Sequence, residues 1–211
     1  MNIFLETNRL ILRNLTQDDV DDLVRLDSNP EVMRFINGGI ATTREAIANE
    51  FLPYATDYYH KSKNLGFWAI IERKSQEFIG WIFLRPEIDF KLLQQLNLAE
   101  PGAVELGYRL RQQSWNQGYT TEVAQALIDK SFTATKSEID KIVAWALTEN
   151  KASTRVMAKV GLKLQQAYLV TEDLLPPSLL ENSLVQNLLD RQLVKYQLDK
   201  ASWNSKQANP A

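Results

Sequence analysis

Between residues 104 and 110 apolar and polar side chains alternate: Val104, Leu106, Tyr108 and Leu110 stand against Glu105, Gly107 and Arg109. A period of two marks a half-buried strand. Residues 111–119 are polar and carry one glycine, Gly118. From Val123 the spacing turns helical, with Val123 and Leu127, then Ala124, Ile128 and Phe132, on one face. The stretch predicts strand, polar turn and helix, with Thr120 or Thr121 placed to cap the helix start. A helix entered straight from a strand offers unpaired N–H groups and a positive dipole end to an anion. Gly118 would admit a phosphate close to the backbone, since no Cβ intervenes. An ordinary β-turn-α connection that binds nothing fits the same pattern.

The same reading carries along the chain. Residues 8–15 predict a first strand, and Thr16 with Asp19 forms a capping-box start for a helix lined by Val20, Leu23 and Val24. Asn29-Pro30-Glu31 opens a short helix, ended by Gly38-Gly39. Thr43 caps a longer one, in which Ile47, Phe51, Tyr54 and Tyr58 share a face and Pro53 predicts a kink. That face suits core packing; it also suits a substrate wall. Residues 66–72 and 77–84 predict a hairpin around 73–76, followed by a partly ordered connection over 85–102. Residues 141–147 predict a strand, and Asn150 caps a helix with Ala152, Val156, Met157 and Val160 that Gly161 closes. Strands over 162–170 and 193–198 bracket an insertion, 173–191, with the leucine spacing of a short amphipathic helix. The tail 205–211 reads as disordered. The order is that of an α+β fold with a mostly antiparallel sheet, in one domain over 1–204.

Composition narrows the chemistry. With 211 residues, 45% hydrophobic, 24% charged and a net charge of -2, the chain has the balance of a globular protein and no basic excess for nucleic acid. No apolar run reaches membrane-spanning length and the first residues lack the pattern of a leader, so a cytoplasmic location is expected. There is no cysteine, and the one histidine, His60, falls at a predicted helix end where an imidazolium suits the dipole. Thiolate chemistry is excluded, no metal site is expected, and acid–base work falls to carboxylates, tyrosines or water.

Four pieces of the chain, in order, resemble the Gcn5-related N-acetyltransferase (GNAT) superfamily, and within it the RimJ/RimL-type branch of ribosomal-protein N-terminal acetyltransferases. They are Thr7-Asn8-Arg9-Leu10-Ile11-Leu12-Arg13; Glu105-Leu106-Gly107-Tyr108 with 115–122; Asn150–Val156 with 159–162; and Val194-Lys195-Tyr196-Gln197-Leu198. The resemblance implies acetyl-coenzyme A (acetyl-CoA) in a V-shaped splay between two central strands. The pantetheine arm would pair with backbone at Leu106, Tyr108 and Leu110. The pyrophosphate would sit on Trp115, Asn116, Gln117, Gly118, Tyr119, Thr120 and Thr121. Asn116 stands where the branch often has glycine, and Thr120 where glycine or alanine is usual.

The acyl acceptor implied is a primary amine, of a peptide N-terminus or a small molecule, and the chain is expected to act as a monomer or homodimer. An amine must lose a proton as it attacks a thioester, so a base is needed. Glu105 matches the glutamate that similar enzymes often carry on the splayed strand; its alternative role is to pair with a neighbouring arginine such as Arg109. Asn150 and Ser153 lie one helical turn apart, suited to the pantetheine amide and the departing thiolate. Relatives often use a tyrosine as that acid, and the helix beginning at Lys151 has none. Tyr54 and Tyr58 occupy the variable acceptor-binding region. A catalytically weak relative that binds acetyl-CoA as a sensor or interaction module is the competing expectation.

Overall fold

The computed structural model describes residues 2–134, 138–175, 177–180 and 182–208. Strands β1 (Ile3–Glu6) and β2 (Leu10–Asn14) precede helices α1 (Val20–Asp27) and α2 (Pro30–Asn37). Helix α3 (Arg44–Ala46), a π-helical turn (Ile47–Phe51) and α4 (Leu52–Lys61) then follow without a break. Strands β3 (Gly66–Glu72) and β4 (Phe78–Pro86), helix α5 (Lys91–Gln95), strand β5 (Val104–Leu110) and helix α6 (Tyr119–Thr133) come next. Strand β6 (Lys141–Leu147), helix α7 (Lys151–Lys159), strand β7 (Lys163–Val170), helix α8 (Ser183–Gln186), strand β8 (Arg191–Asp199) and helix α9 (Lys200–Ala208) complete the chain.

The strands form an α+β sheet in the order β1-β2-β3-β4-β5-β6-β8-β7. The pairings β1–β2, β2–β3, β3–β4, β6–β8 and β7–β8 are antiparallel, and β5–β6 is parallel. That parallel ladder holds two residue pairs, Val104↔Ile142 and Glu105↔Val143, and then stops. A splay between the two strands requires such a short ladder.

The chain divides into two compact units. The first comprises residues 1–84 and 107–127. Its β3 is apolar on both faces and buried almost throughout, as a central strand must be. Leu15, Leu23, Leu26, Ile47, Leu52, Phe67, Trp81 and Phe83 form its core. Each large side chain buried there contributes about 1.5–3 kcal/mol. Arg13 reaches back to Asp19 at 2.6 Å, while Arg109 and Arg111 pair with Asp27 and Asp22 of α1. Gly107 has a steric role: a Cβ there would collide with the Phe83 ring.

The second unit comprises residues 85–106 and 128–211. Ile128, Phe132, Ile142, Val143, Met157, Leu162, Val194 and Leu198 are buried in it, joined by Leu92 and Leu93 of α5. The connection 85–102 is thus ordered, with a 3-10 turn at Glu87–Asp89 before α5. In the insertion 173–191, where the leucines suggested a short amphipathic helix, the described residues form 3-10 turns and the four-residue α8.

Three other expectations change. Strand β1 lies ahead of the first predicted strand; it is short, but pairs with β2 and lays Phe4 on Trp68 with ring centroids 4.2 Å apart. Before Pro53 the helix takes a π turn, a form that absorbs an irregular hydrogen-bond pattern. Residues 205–208, read as part of a disordered tail, are helical in α9. Trp203 explains this: its ring is buried, 5.7 Å from that of Phe132, and its indole N–H donates to Asp129 at 2.8 Å. Residues 209–211 lie outside the described residues.

Gly107→Ala is expected to lower stability by about 1–3 kcal/mol through overpacking. Urea denaturation would show it as a lower midpoint, and Phe83→Leu in the same background should recover part of the loss.

Candidate active site

Strand β5 ends at Leu110, whose carbonyl accepts the Trp115 indole N–H at 2.9 Å. A 3-10 turn, Gln112–Ser114, carries the chain to an exposed loop in which Asn116 has φ 59° and Gly118 φ 78°. Left-handed backbone alternating with ordinary backbone gathers successive N–H groups into an anion-binding hollow. Asparagine is one of the few residues besides glycine that enters this region readily. The sequence departure at Asn116 therefore preserves the backbone form. The Gly118 carbonyl accepts the Glu122 N–H at 3.0 Å, so the helix begins at Tyr119. Thr120 and Thr121 fall inside its first turn and do not cap it. The threonine cap was expected because a threonine hydroxyl can accept an orphan N–H of the first turn; Gly118 takes that place through its backbone.

Glu122 is turned to β2. Its carboxylate accepts from Thr7 Oγ1 at 2.6 Å, from the Arg9 backbone N–H at 3.0 Å and from Arg9 Nε at 2.6 Å. Burial pushes its carboxyl up, but these bonds outweigh that and hold it below the usual glutamate value. Arg9 also donates to the Gln117 carbonyl at 2.9 Å and lies 4.5 Å over the Tyr119 ring, while the Tyr119 hydroxyl bonds Glu72. The turn is thus braced by an arginine nearly 110 positions away. Arg9 belongs to the first of the four family-like pieces, which was the available signal.

Glu105 occupies the second unit. Its side chain is 8% exposed and pairs with Arg85 of β4, Nε and Nη2 each 2.7 Å from Oε2. Burial pushes the Glu105 carboxyl above the usual glutamate range; Arg85 pulls it back, and the nearby Glu87 charge adds to the rise. The arginine expected as its partner, Arg109, is bound to Asp27 instead. Along one strand those two side chains stand four residues apart, whereas Arg85 arrives from another strand. Next to the pair, Glu87 is fully buried, and its carboxylate accepts from Trp145 Nε1 at 2.6 Å, Lys195 Nζ at 3.0 Å and the Glu100 N–H at 2.8 Å.

Leu106 and Leu110 are buried, and Tyr108 is half-buried. Asn150 caps α7, its side chain accepting from the Ser153 N–H at 3.1 Å, and both residues are half-buried. The two acceptor-region tyrosines part company. Tyr54 is 39% exposed, while Tyr58 is 5% exposed and packs in the core, touching Tyr54 through their hydroxyls at 3.1 Å. Tyr58 thus packs in the core while Tyr54 reaches the surface. Helical periodicity places both on one face without saying how deep each lies.

Among the described residues no group of His, Cys, Asp and Glu side chains could hold a metal ion, and no helix is long and apolar enough to cross a membrane.

Residues 9–163 match the family model described as Acetyltransferase (GNAT) domain, and the chain belongs to that family. It is 30% identical over 157 residues to an uncharacterized N-acetyltransferase, YoaA, of Bacillus subtilis, covering 74% of this chain and 81% of that one. It is 26% identical over 178 residues to the FsC-acetyl coenzyme A-N(2)-transacetylase of Aspergillus fumigatus, covering 84% and 72%. Among solved structures, RimL, a ribosomal alpha-N-protein acetyltransferase in complex with coenzyme A, superposes with a TM-score of 0.69 at 16% identity, covering 95% and 99%. The protein is an acetyl-CoA-dependent acyltransferase.

Asn116→Ala is expected to cost about 1 kcal/mol from left-handed strain, and Asn116→Gly to be nearly neutral. Coenzyme A affinity, measured by calorimetry, should weaken in the alanine variant and hold in the glycine one.

Proposed function

We propose that this protein acetylates a primary amine, of a peptide N-terminus or a small molecule, by direct attack on acetyl-CoA with Glu105 as the base. The observation that carries the reading is the buried Glu105 carboxylate on β5, whose proton affinity is raised by desolvation toward the range a base needs near neutral pH. The exposed loop fits the coenzyme: Asn116 and Gly118 take the backbone form of an anion hollow, and a Cβ at Gly118 would find Arg9 Nη2 its nearest neighbour at 3.5 Å. Acetyl-CoA supplies the thioester carbonyl; the amine nitrogen bonds to that carbon, the C–S bond breaks, and its electron pair leaves on sulfur.

The residues divide that work as follows. Trp115, Asn116, Gln117, Gly118, Tyr119, Thr120 and Thr121 hold the pyrophosphate through backbone N–H groups and the α6 dipole. The β5 backbone at Leu106, Tyr108 and Leu110 pairs with the pantetheine arm, and N–H groups in 106–108 stabilise the oxyanion. Asn150 takes the pantetheine amide with its side-chain N–H donors. Ser153, at the start of α7, supplies the proton to the sulfur, and water restores it. Tyr54 lines the acceptor side. The curated relative from Aspergillus and RimL both carry names of acetyl transfer to nitrogen, which supports an amine acceptor.

Acetyl-CoA should raise the melting temperature, by ~2.7 kcal/mol of added stability at a hundredfold excess over Kd. Gly118→Asp should abolish that shift, because it sets bulk and negative charge where the pyrophosphate lies. A melt unchanged at millimolar acetyl-CoA would refute the assigned loop.

Glu105→Gln should leave coenzyme Kd near wild type and lower kcat by roughly two to four orders of magnitude. Only ionised Glu105 accepts a proton, so the wild-type rate should fall as pH drops through its raised pKa. The loss in Glu105→Gln should shrink at high pH, where the amine is already neutral. A pH–rate profile of both proteins with a panel of amines checks this; an unchanged kcat across it removes Glu105 from the mechanism.

A further inference from the structure

Arg85 lies near the end of β4 and sends both Nε and Nη2 to one oxygen of Glu105, each 2.7 Å from Oε2. The Glu105 side chain as a whole is 8% exposed. The guanidinium is itself held in place, 14% exposed and 4.6 Å over the Phe90 ring. Glu87, the nearest other carboxylate, is occupied by Trp145, Lys195 and the Glu100 N–H, which leaves Arg85 as the counterion of Glu105. From β6, the residue paired with Glu105 is Val143, which carries no charge.

We propose that Arg85 is a positioning residue for the acetyl transfer: by holding Oε2 with its guanidinium it fixes the Glu105 carboxylate in the orientation that receives the amine proton. The proposal rests on Glu105 being the base. The proton passes from the attacking nitrogen to the Glu105 carboxylate, directly or through one water, and from there to bulk water. A lysine at position 85 would keep the charge but lose the two-donor grip, and a glutamine would lose the charge.

The test begins without coenzyme. Protein carrying carbon-13 at glutamate Cδ is titrated by NMR, with the Glu105 signal assigned as the one missing from Glu105→Gln. Arg85→Gln should raise the Glu105 midpoint by about 1–3 pH units, the span an adjacent arginine imposes on a carboxylate. The acidic limb of its kcat/KM profile should move up by the same amount. Arg85→Lys should keep the midpoint near wild type and still lose roughly ten- to a hundredfold in kcat from misplacement of the carboxylate, with KM for acetyl-CoA unchanged. A midpoint that does not move in Arg85→Gln, or wild-type kcat in Arg85→Lys, overturns the proposal. Should Arg85→Gln fail to fold, the kcat of Arg85→Lys decides alone. If Glu105→Gln is inactive while Arg85→Lys has full activity, the positioning role falls and the base stands. If Glu105→Gln keeps its kcat, the base falls and takes the positioning role with it.

Discussion

A carboxylate taken out of water must meet a cation, and the unit that holds Glu105 is arranged around that requirement. Glu105 and Glu87 are both buried. Each has its own cation, Arg85 and Lys195, at 2.7 Å and 3.0 Å. Removing one partner of such a pair leaves an uncompensated charge, which costs far more than the pair itself contributes. The 85–102 connection is drawn in by the same charges, because it supplies Arg85, Glu87 and Glu100, and Glu100 pairs in turn with Lys141 at 3.1 Å. Leu92 and Leu93 add apolar burial to that segment. A connection read from its leucines as partly ordered is thereby tied to β5.

Strand β5 concentrates the demands of function. Burial raises the proton affinity of Glu105, and Arg85 offsets that rise. Gly107, two residues on, needs to be bare because Phe83 occupies the space. The loop that follows needs left-handed backbone at two positions, and asparagine and glycine supply it. Local backbone chemistry thus shapes the loop, while long-range pairing through Arg9 and Glu122 braces it. The two contributions differ in kind: the first acts on conformation, the second on charge. Thr7 and Arg9 cover the Glu122 carboxylate, which keeps an acidic first turn compatible with a phosphate ligand.

How much could be read in advance depended on the range of the interaction. The strands 104–110 and 141–147 carry their own periodicity, and their limits coincide with β5 and β6. Asn150 at the start of α7 and Gly161 beyond its end are cap residues whose chemistry is local, and both sit as expected. Thr120 and Thr121 were misleading for a related reason: hydroxyl residues signal a cap, but here the backbone of Gly118 starts the helix. Tyr54 and Tyr58 share a helical face, and depth separates them because Phe67 and the rest of the core lie below only part of that face.

By itself the sequence determined the order and type of most elements and the strand-turn-helix at 104–133, since side-chain period, caps and turn residues act over a few positions; Glu105 was singled out by the family resemblance. Only the tertiary structure decided which arginine meets Glu105, which tyrosine reaches solvent, that Arg9 braces the turn, and that residues 205–208 are helical. Each of those depends on strand register or on burial against residues tens of positions away. A periodic pattern records which face a side chain points to, but neither how far the neighbouring strand has slid nor what waits on the other side.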